Sequence, residues 1–419
     1  MKERILAAIV LSATLAILQA PAGAGASAGR LIQPEDLVYA GAFRLPDEPP
    51  EIGWEYGGSA MAYYPHGDPT GQADGYPGSI FGTGNDQQQY VSEISIPAPI
   101  ISRTKNVKVL NTARTLQPFT DIRGNLSGPL EIPRVGLEYL PKQGQQTTDK
   151  LHFCWAQHME EGEKGPTHGW CDLNLAHPRS AGLWRVGDYD RYVTSGYLFA
   201  VPREWADLHA PGMLLATGRY RDGGQGGRGP SLFACAPWKH GSPPATGARL
   251  SAVPLILYSN VTAADQRTMK GYHHSDEWEG GAWLTAGGRS AVMFVGTKGT
   301  GARCWYGFAD GTVWPDNPPF PRIPPPPNND RGWWSEGFQA QMIFYDPDDL
   351  AAVAKGQKAS HTPQPYAAMN LDPFLYRTNP PRQKSRVGSM CYDRDKGVLY
   401  VFERFADGDK PLVHVWKIR

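Results

Sequence analysis

The sequence has no excess of charge of one sign. Lys plus Arg and Asp plus Glu are 41 each in 419 residues. That balance argues against a nucleic-acid binder, which carries a basic field. Cysteine is scarce, with five residues, Cys154, Cys171, Cys235, Cys304 and Cys391. No two have the CxxC spacing of a zinc or redox site. Also missing are a GxSxG nucleophile elbow, a P-loop, an HExxH pair and a GxGxxG cradle between strand and helix. The Gly-rich stretch Gly223–Gly229 lies in a hairpin loop and reads as flexible. After the first 28 residues no apolar run is long enough to span a bilayer.

Met1–Ala28 has the three parts of a secretory signal peptide. Lys2 and Arg4 give a charged start, Ile5–Leu18 an apolar stretch, and small residues follow, with cleavage near Ala24 or after Ala26-Ser27-Ala28. The expectation is an exported chain, periplasmic or secreted. Export permits a disulfide, and Cys154 and Cys171 are placed to face each other across a hairpin. Cys235, Cys304 and Cys391 lie in apolar runs and read as packing residues.

What the chain has in abundance is Gly (48), Pro (38), Tyr (19) and Trp (13). Spread through apolar segments, they predict many turns between short strands. The last stretch, Arg386–Arg419, is the clearest case. Val387–Tyr392, Val398–Phe405 and Leu412–Ile418 alternate with Asp/Gly turn chemistry and read as a three-stranded antiparallel meander.

The unit recurs. Gly58–Tyr64, Ser79–Gly84 and Tyr90–Ile96 form one copy, with Val107–Leu116 as its fourth strand. Val135–Leu140, Lys150–Ala156 and Gly169–Leu175 form another. A third has Ser195–Val201, a helical piece Arg203–His209, Met213–Tyr220, Ser231–Ala236 and Pro254–Tyr258. The fourth has Gly280–Ala286, Ser290–Gly296 and Ala302–Phe308. Repeated meanders without long helices predict an all-β fold, a β-propeller over residues 29–419, with five blades visible and long inserts that could hold a sixth or seventh. Leu37–Leu45 precedes the first blade and supplies the strand missing from the last, closing the ring. The Pro-rich stretch 314–330 reads as an extended loop over a blade. Gln339–Tyr345 reads as a strand and Asp346–Lys355 as a short helix with acidic residues at its start.

In such a ring, loops entering the first strands share a face with the loops between second and third strands. That geometry gathers Glu55, Tyr56, Arg134, Tyr192, His273, His274, Asp276, Trp278, Glu279 and Arg386 with Arg219 and Arg221. Gly271–Gly281, GYHHSDEWEGG, is the densest segment. Asp276, Glu279 and Glu55 suit acid–base or nucleophilic work, and His274 and Tyr192 proton abstraction. Tyr56, Arg134, Arg219, Arg221, Trp278 and Arg386 suit binding of an acidic sugar. The blander reading is a set of ion pairs between blades and a packed Trp278. No cofactor is specified, and a structural metal ion is left open.

The repeat units resemble secreted β-propellers across most of the chain. Propeller-fold polysaccharide lyases and glycoside hydrolases are the nearest functional analogy. That resemblance implies a carbohydrate-active enzyme with a polysaccharide or oligosaccharide substrate, a lyase cleaving uronic-acid glycans by β-elimination. The alternatives are a glycoside hydrolase with paired carboxylates and a non-catalytic propeller binding glycan or protein.

Overall fold

The computed structural model describes residues 30–49, 52–71, 73–130, 133–157, 162–219, 226–260, 267–377, 384 and 386–419. The expected signal peptide, Met1–Ala28, lies outside them. The chain opens with β1 (Leu37–Arg44). Blade 1 follows as β2 (Met61–Tyr64), β3 (Ser79–Thr83), β4 (Val91–Ser95) and β5 (Thr115–Thr120). Blade 2 is β6 (Arg134–Leu140), β7 (Lys150–Ala156), β8 (His168–Cys171) and β9 (Ala181–Val186). After helix α1 (Arg191–Thr194), blade 3 has β10 (Tyr197–Ala200), α2 (Arg203–His209), β11 (Leu215–Gly218) and β12 (Leu232–Cys235). Next comes β13 (Arg249–Leu250), which pairs in parallel with β9 as a fifth strand of blade 2. β14 (Ala252–Ile256) then completes blade 3. Blade 4 is β15 (Glu277–Ala286), β16 (Arg289–Gly307) and β17 (Gly332–Tyr345), then α3 (Pro347–Ala354) and β18 (Ala367–Asn370). Blade 5 is β19 (Val387–Asp393), β20 (Val398–Asp407) and β21 (Lys410–Ile418), joined by β1.

The molecule is therefore a five-bladed β-propeller closed by its N-terminal strand. β1 pairs antiparallel with β21 from Leu37 opposite Ile418 to Arg44 opposite Leu412. Closure removes two sheet edges that would otherwise offer unpaired N–H and C=O groups.

Alternation within the strands sends apolar side chains to both faces of each blade, and the core is a set of layers between blades. Phe43, Ile80, Ile94, Tyr400, Phe402 and Val413 fill the layer between blades 5 and 1. Phe81, Val135, Phe153 and Cys171 fill that between blades 1 and 2. Cys154 belongs to another layer, with Tyr197, Phe199, Trp283 and Phe294.

That division corrects the expected disulfide. Cys171 lies opposite Leu151, and Cys154 opposite His168, so the two thiols point to opposite faces of one blade. All five cysteines are free. Burial pushes the Cys154 thiol up to about 12.

Blade 4 also departs from the expected pattern. Ser290–Gly296 and Ala302–Phe308 read as two strands around a Gly-rich turn, yet both belong to the single 19-residue β16. Residues 332–338 run alongside as its partner, from Gly299 opposite Phe338 to Gly307 opposite Gly332. Gly301, Ala302 and Arg303, between Thr300 and Cys304, form a bulge instead of a reversal. The Pro-rich stretch is thus the cap of a long β16–β17 hairpin.

With five inner strands the ring is tight, and β6, β10, β15, β19 and β2 meet backbone to backbone. A Cβ on Gly388 would sit 2.1 Å from the Gly58 carbonyl oxygen, and one on Gly136 would sit 2.6 Å from the Tyr197 backbone. The Ser389 N–H donates to the Gly58 oxygen at 2.9 Å, stitching β19 to the entrance of β2.

Two outcomes follow. Gly388→Ala forces β19 away from blade 1 and lowers stability by about 3 kcal/mol or more, read by urea unfolding; an unchanged midpoint counters the backbone contact. Alkylation of the denatured, unreduced protein labels Cys154 and Cys171 together with the other three thiols; mass spectrometry showing a protected pair counters the register of blade 2.

Candidate functional site

Residues 273–276 form a tight turn at the entrance of β15. The Asp276 N–H donates to the His273 oxygen at 3.0 Å, and the His273 N–H donates back to Asp276 Oδ2 at 3.1 Å. The turn resembles an Asx cap, in which a carboxylate satisfies backbone donors that the incoming strand leaves free. Across from it runs the β16–β17 hairpin. Lys298 donates to Asp276 Oδ1 at 2.9 Å, and the Gly299 N–H donates to the same oxygen at 2.8 Å.

Three hydroxyl and imidazole groups sit beside this carboxylate. His273 Nδ1 and Ser335 Oγ are hydrogen-bonded at 2.8 Å, and Ser335 Oγ and Ser275 Oγ at 2.7 Å. Cys304 Sγ lies 4.0 Å from Ser275 Oγ. Gly299 makes room for them, since a Cβ there would lie 2.3 Å from Ser275 Oγ and 2.5 Å from Ser335 Oγ.

Burial pushes the Asp276 carboxyl up to about 6, even though Lys298 and two backbone N–H groups favour the charged form. Burial, together with the cation of Lys298 and the neighbouring His274, holds His273 below the usual imidazole value, with Glu336 opposing. His273 is therefore neutral at pH 7 and oriented by a hydroxyl, the state required of a proton acceptor.

An aromatic wall adjoins the group. His274 stacks on Trp333 with centroids 4.4 Å apart and planes 23° apart. Tyr272 meets His274 edge-on at 5.5 Å, and Tyr306 meets Trp333 at 5.6 Å. All four rings are half-buried, so each keeps exposed surface.

The mouth of the central channel holds a second cluster. Arg404 pairs with Asp86 and donates to the Tyr56 carbonyl at 3.0 Å. Ser59 Oγ donates to Asp86 Oδ1 at 2.5 Å. Glu279 is buried here, and burial raises its pKa; Arg404 and Arg134 pull it down, while Glu277 and Asp86 push it further up. Three carboxylates thus face two guanidinium groups, and burial disfavours the charged form of Glu279.

The structure brings together Asp276, Glu279, Arg134 and His274 of the predicted residues, on one segment or around one channel mouth. Others it places differently. Trp278 is 2% exposed in the core between blades 3 and 4, where it lies opposite Gly296 just before a bulge in β15. Arg219 is 1% exposed, and its guanidinium donates to the carbonyls of Gly226 and Gly229 at 2.7–3.2 Å, holding the end of the Gly-rich loop. Arg386 pairs with Asp372 at 2.7 Å, joining blades 4 and 5. Tyr192 is 6% exposed within α1, so its phenol is part of the packing. Packing or partners in the fold engage all four.

Tyr56 is 49% exposed, with its hydroxyl donating to Asp409 Oδ2 at 3.3 Å. Glu55 is half-buried beside it, with Oε2 buried and lacking a hydrogen-bond partner. Arg221 lies outside the described residues. Ser275, Ser335 and Glu277 were missed. Glu277 is close enough to Glu279 to raise its pKa, and nothing local marks Ser335, which is brought in by a partner strand 60 residues from Ser275. Among the described residues no group of three or more His, Cys, Asp and Glu is placed to hold a metal ion. No described helix is long and apolar enough to cross a membrane.

The raised Asp276 carboxyl has a testable sign. Its folded value of about 6 exceeds the ordinary Asp value of about 3.9, so its contribution to stability is complete below about pH 4 and lost as pH rises through 6. Asp276→Asn removes that decline, which is roughly 1–3 kcal/mol. Urea unfolding at intervals from acid to neutral pH measures it, and an unchanged slope in the variant rules the assignment out.

No family model matches the chain, and no curated protein matches it. Among solved structures, it is similar to the β-propeller domain of Cps50 (Swd1) from Myceliophteria thermophila, at 9% identity and a TM-score of 0.27, over 91% of this chain and all of that one. At that TM-score the propeller assignment rests on the strand order and ring closure seen here.

Proposed function

We propose that the protein is an exported carbohydrate-active enzyme that cleaves an acidic polysaccharide by β-elimination, with His273 as the proton acceptor. One observation carries this reading: a neutral, hydroxyl-anchored imidazole lies beside a lysine ammonium and an aromatic wall, where the turn at residues 273–276 meets the β16–β17 hairpin. With Nδ1–H donating to Ser335, the Nε2 lone pair is left for a substrate proton. Lys298 would neutralise a uronate carboxylate, which acidifies the C5 proton. His273 takes that proton, the C5–H electron pair becomes the C4=C5 double bond, and the C4–O bond breaks with its pair on the glycosidic oxygen, which takes a proton from water. Trp333 and His274 offer the flat apolar surface that sugar C–H faces pack on. The base role is given to His273 in place of His274 because a hydroxyl orients the His273 ring, whereas His274 contributes its ring face to the aromatic wall.

Glu279 favours a second reading, hydrolysis of a glycosidic bond. A carboxyl whose pKa is raised by burial and by neighbouring carboxylates is of the kind that protonates a leaving oxygen.

Incubation with a panel of uronic-acid polysaccharides separates the two. Elimination gives the ultraviolet absorbance of an unsaturated product, whereas new reducing ends without that absorbance point to hydrolysis. Neither signal, with glycan binding retained, points to a binding module. For the lyase, His273→Ala lowers kcat roughly 100- to 10,000-fold. His274→Ala chiefly raises KM. Lys298→Gln moves the acid limb of the pH profile upward, since a cation that depresses the imidazole is gone. Full activity of His273→Ala sinks the mechanism.

A further inference from the structure

The opposite face of the ring has a cavity of about 620 Å³, within the roughly 300–1,000 Å³ of small-molecule sites. It lies where the first-to-second-strand turns of blades 4 and 5 gather with α2 and α3, away from the loops that carry His273 and Glu279. Its apolar surface is a pair of indoles, Trp205 and Trp283, with centroids 4.5 Å apart. Each indole N–H is already used: Trp205 donates to the Pro347 oxygen and Trp283 to Ser290 Oγ, both at 3.1 Å. The rings therefore offer faces and carbon edges, not donors. Trp283 is buried beneath, and Trp205 is half-buried, presenting its surface to the cavity.

The polar lining has both signs. Glu204, Asp395 and Lys396 are exposed on the rim. The Arg394 guanidinium is held in the wall, donating to Thr285 Oγ1 at 3.1 Å and to the Ala200 oxygen at 3.2 Å. Mixed charge gives no strong preference for an anion or a cation. It gives carboxylate acceptors and cationic donors around an aromatic surface. That is the complement of a molecule whose hydroxyls both donate and accept and whose ring face is C–H: a neutral saccharide.

We infer that this cavity is a second, non-catalytic site for a neutral oligosaccharide, separate from the site on the other face. The two faces would then hold one glycan of mixed composition at two points, or hold the protein on a neutral matrix while the first site works. The inference does not rest on the lyase reading, because its measurement is binding.

Short neutral gluco-, galacto-, manno- and xylo-oligosaccharides are titrated into the full chain, followed by calorimetry and tryptophan fluorescence. The expected result is saturable one-site binding by at least one series. Trp205→Ala weakens it at least roughly tenfold. Glu204→Gln combined with Asp395→Asn, two exposed changes, weakens it with an unchanged thermal melt, and decides the matter if Trp205→Ala does not fold. Trp333→Ala and His273→Ala leave it intact. The inference is overturned if no neutral series binds saturably. Binding of only charged compounds, or binding that survives both cavity variants or is lost in Trp333→Ala, overturns it too.

Discussion

Five inner strands must close around one axis, and they do so only by bringing backbones into contact. Where β19 passes the entrance of β2, and where β6 meets β10, there is no space for a Cβ, so Gly388 and Gly136 occupy those positions. The same closeness leaves little room at the channel mouth. Side chains reach it from different blades as a charge network, with Glu277, Glu279 and Arg404 buried and Asp86 and Arg134 half-buried. Burial of that many charges is tolerable only because opposite signs meet, and it disfavours the charged form of Glu279.

A narrow ring thereby moves exposed chemistry outward. The β16–β17 hairpin extends well past the other second-to-third-strand hairpins, carrying Trp333, Ser335 and Lys298 to the turn at residues 273–276. The hairpin's length sets the site: residues 299–307 continue β16 because residues 332–338 pair with them. Glycine at 299 then leaves space for two serine hydroxyls, which fix His273. Local backbone, packing and proton affinity are linked at this point, since the burial that orders the imidazole also lowers its basicity.

Ring closure imposes a further arrangement on the opposite face. The turns of blades 4 and 5 lie near the last residues of the chain and near α2 and α3. Trp205 from α2 and Trp283 from β15 meet there. Two faces of one propeller thus carry different surfaces, one with an oriented base and the other with indoles and mixed charge.

Much of the fold was legible along the chain. Period-two alternation and Asp/Gly turns mark the strands of blade 5, and an N-terminal strand ahead of five meanders marks the closure, because both are local consequences of backbone geometry. The segment 271–281 also stood out by its density of titratable groups. Pairing partners decided the rest. A Gly-rich stretch in β16 becomes a bulge when a partner strand continues past it. Cys154 and Cys171 are close in sequence, yet three positions of register turn them to opposite layers. Arg219 and Arg386 resemble ligand arginines in composition, but nearby carbonyls and Asp372 claim them. The different surroundings of two adjacent histidines were beyond any sequence pattern, since they depend on Ser335 and Trp333, which only the folded hairpin brings within reach of His273 and His274.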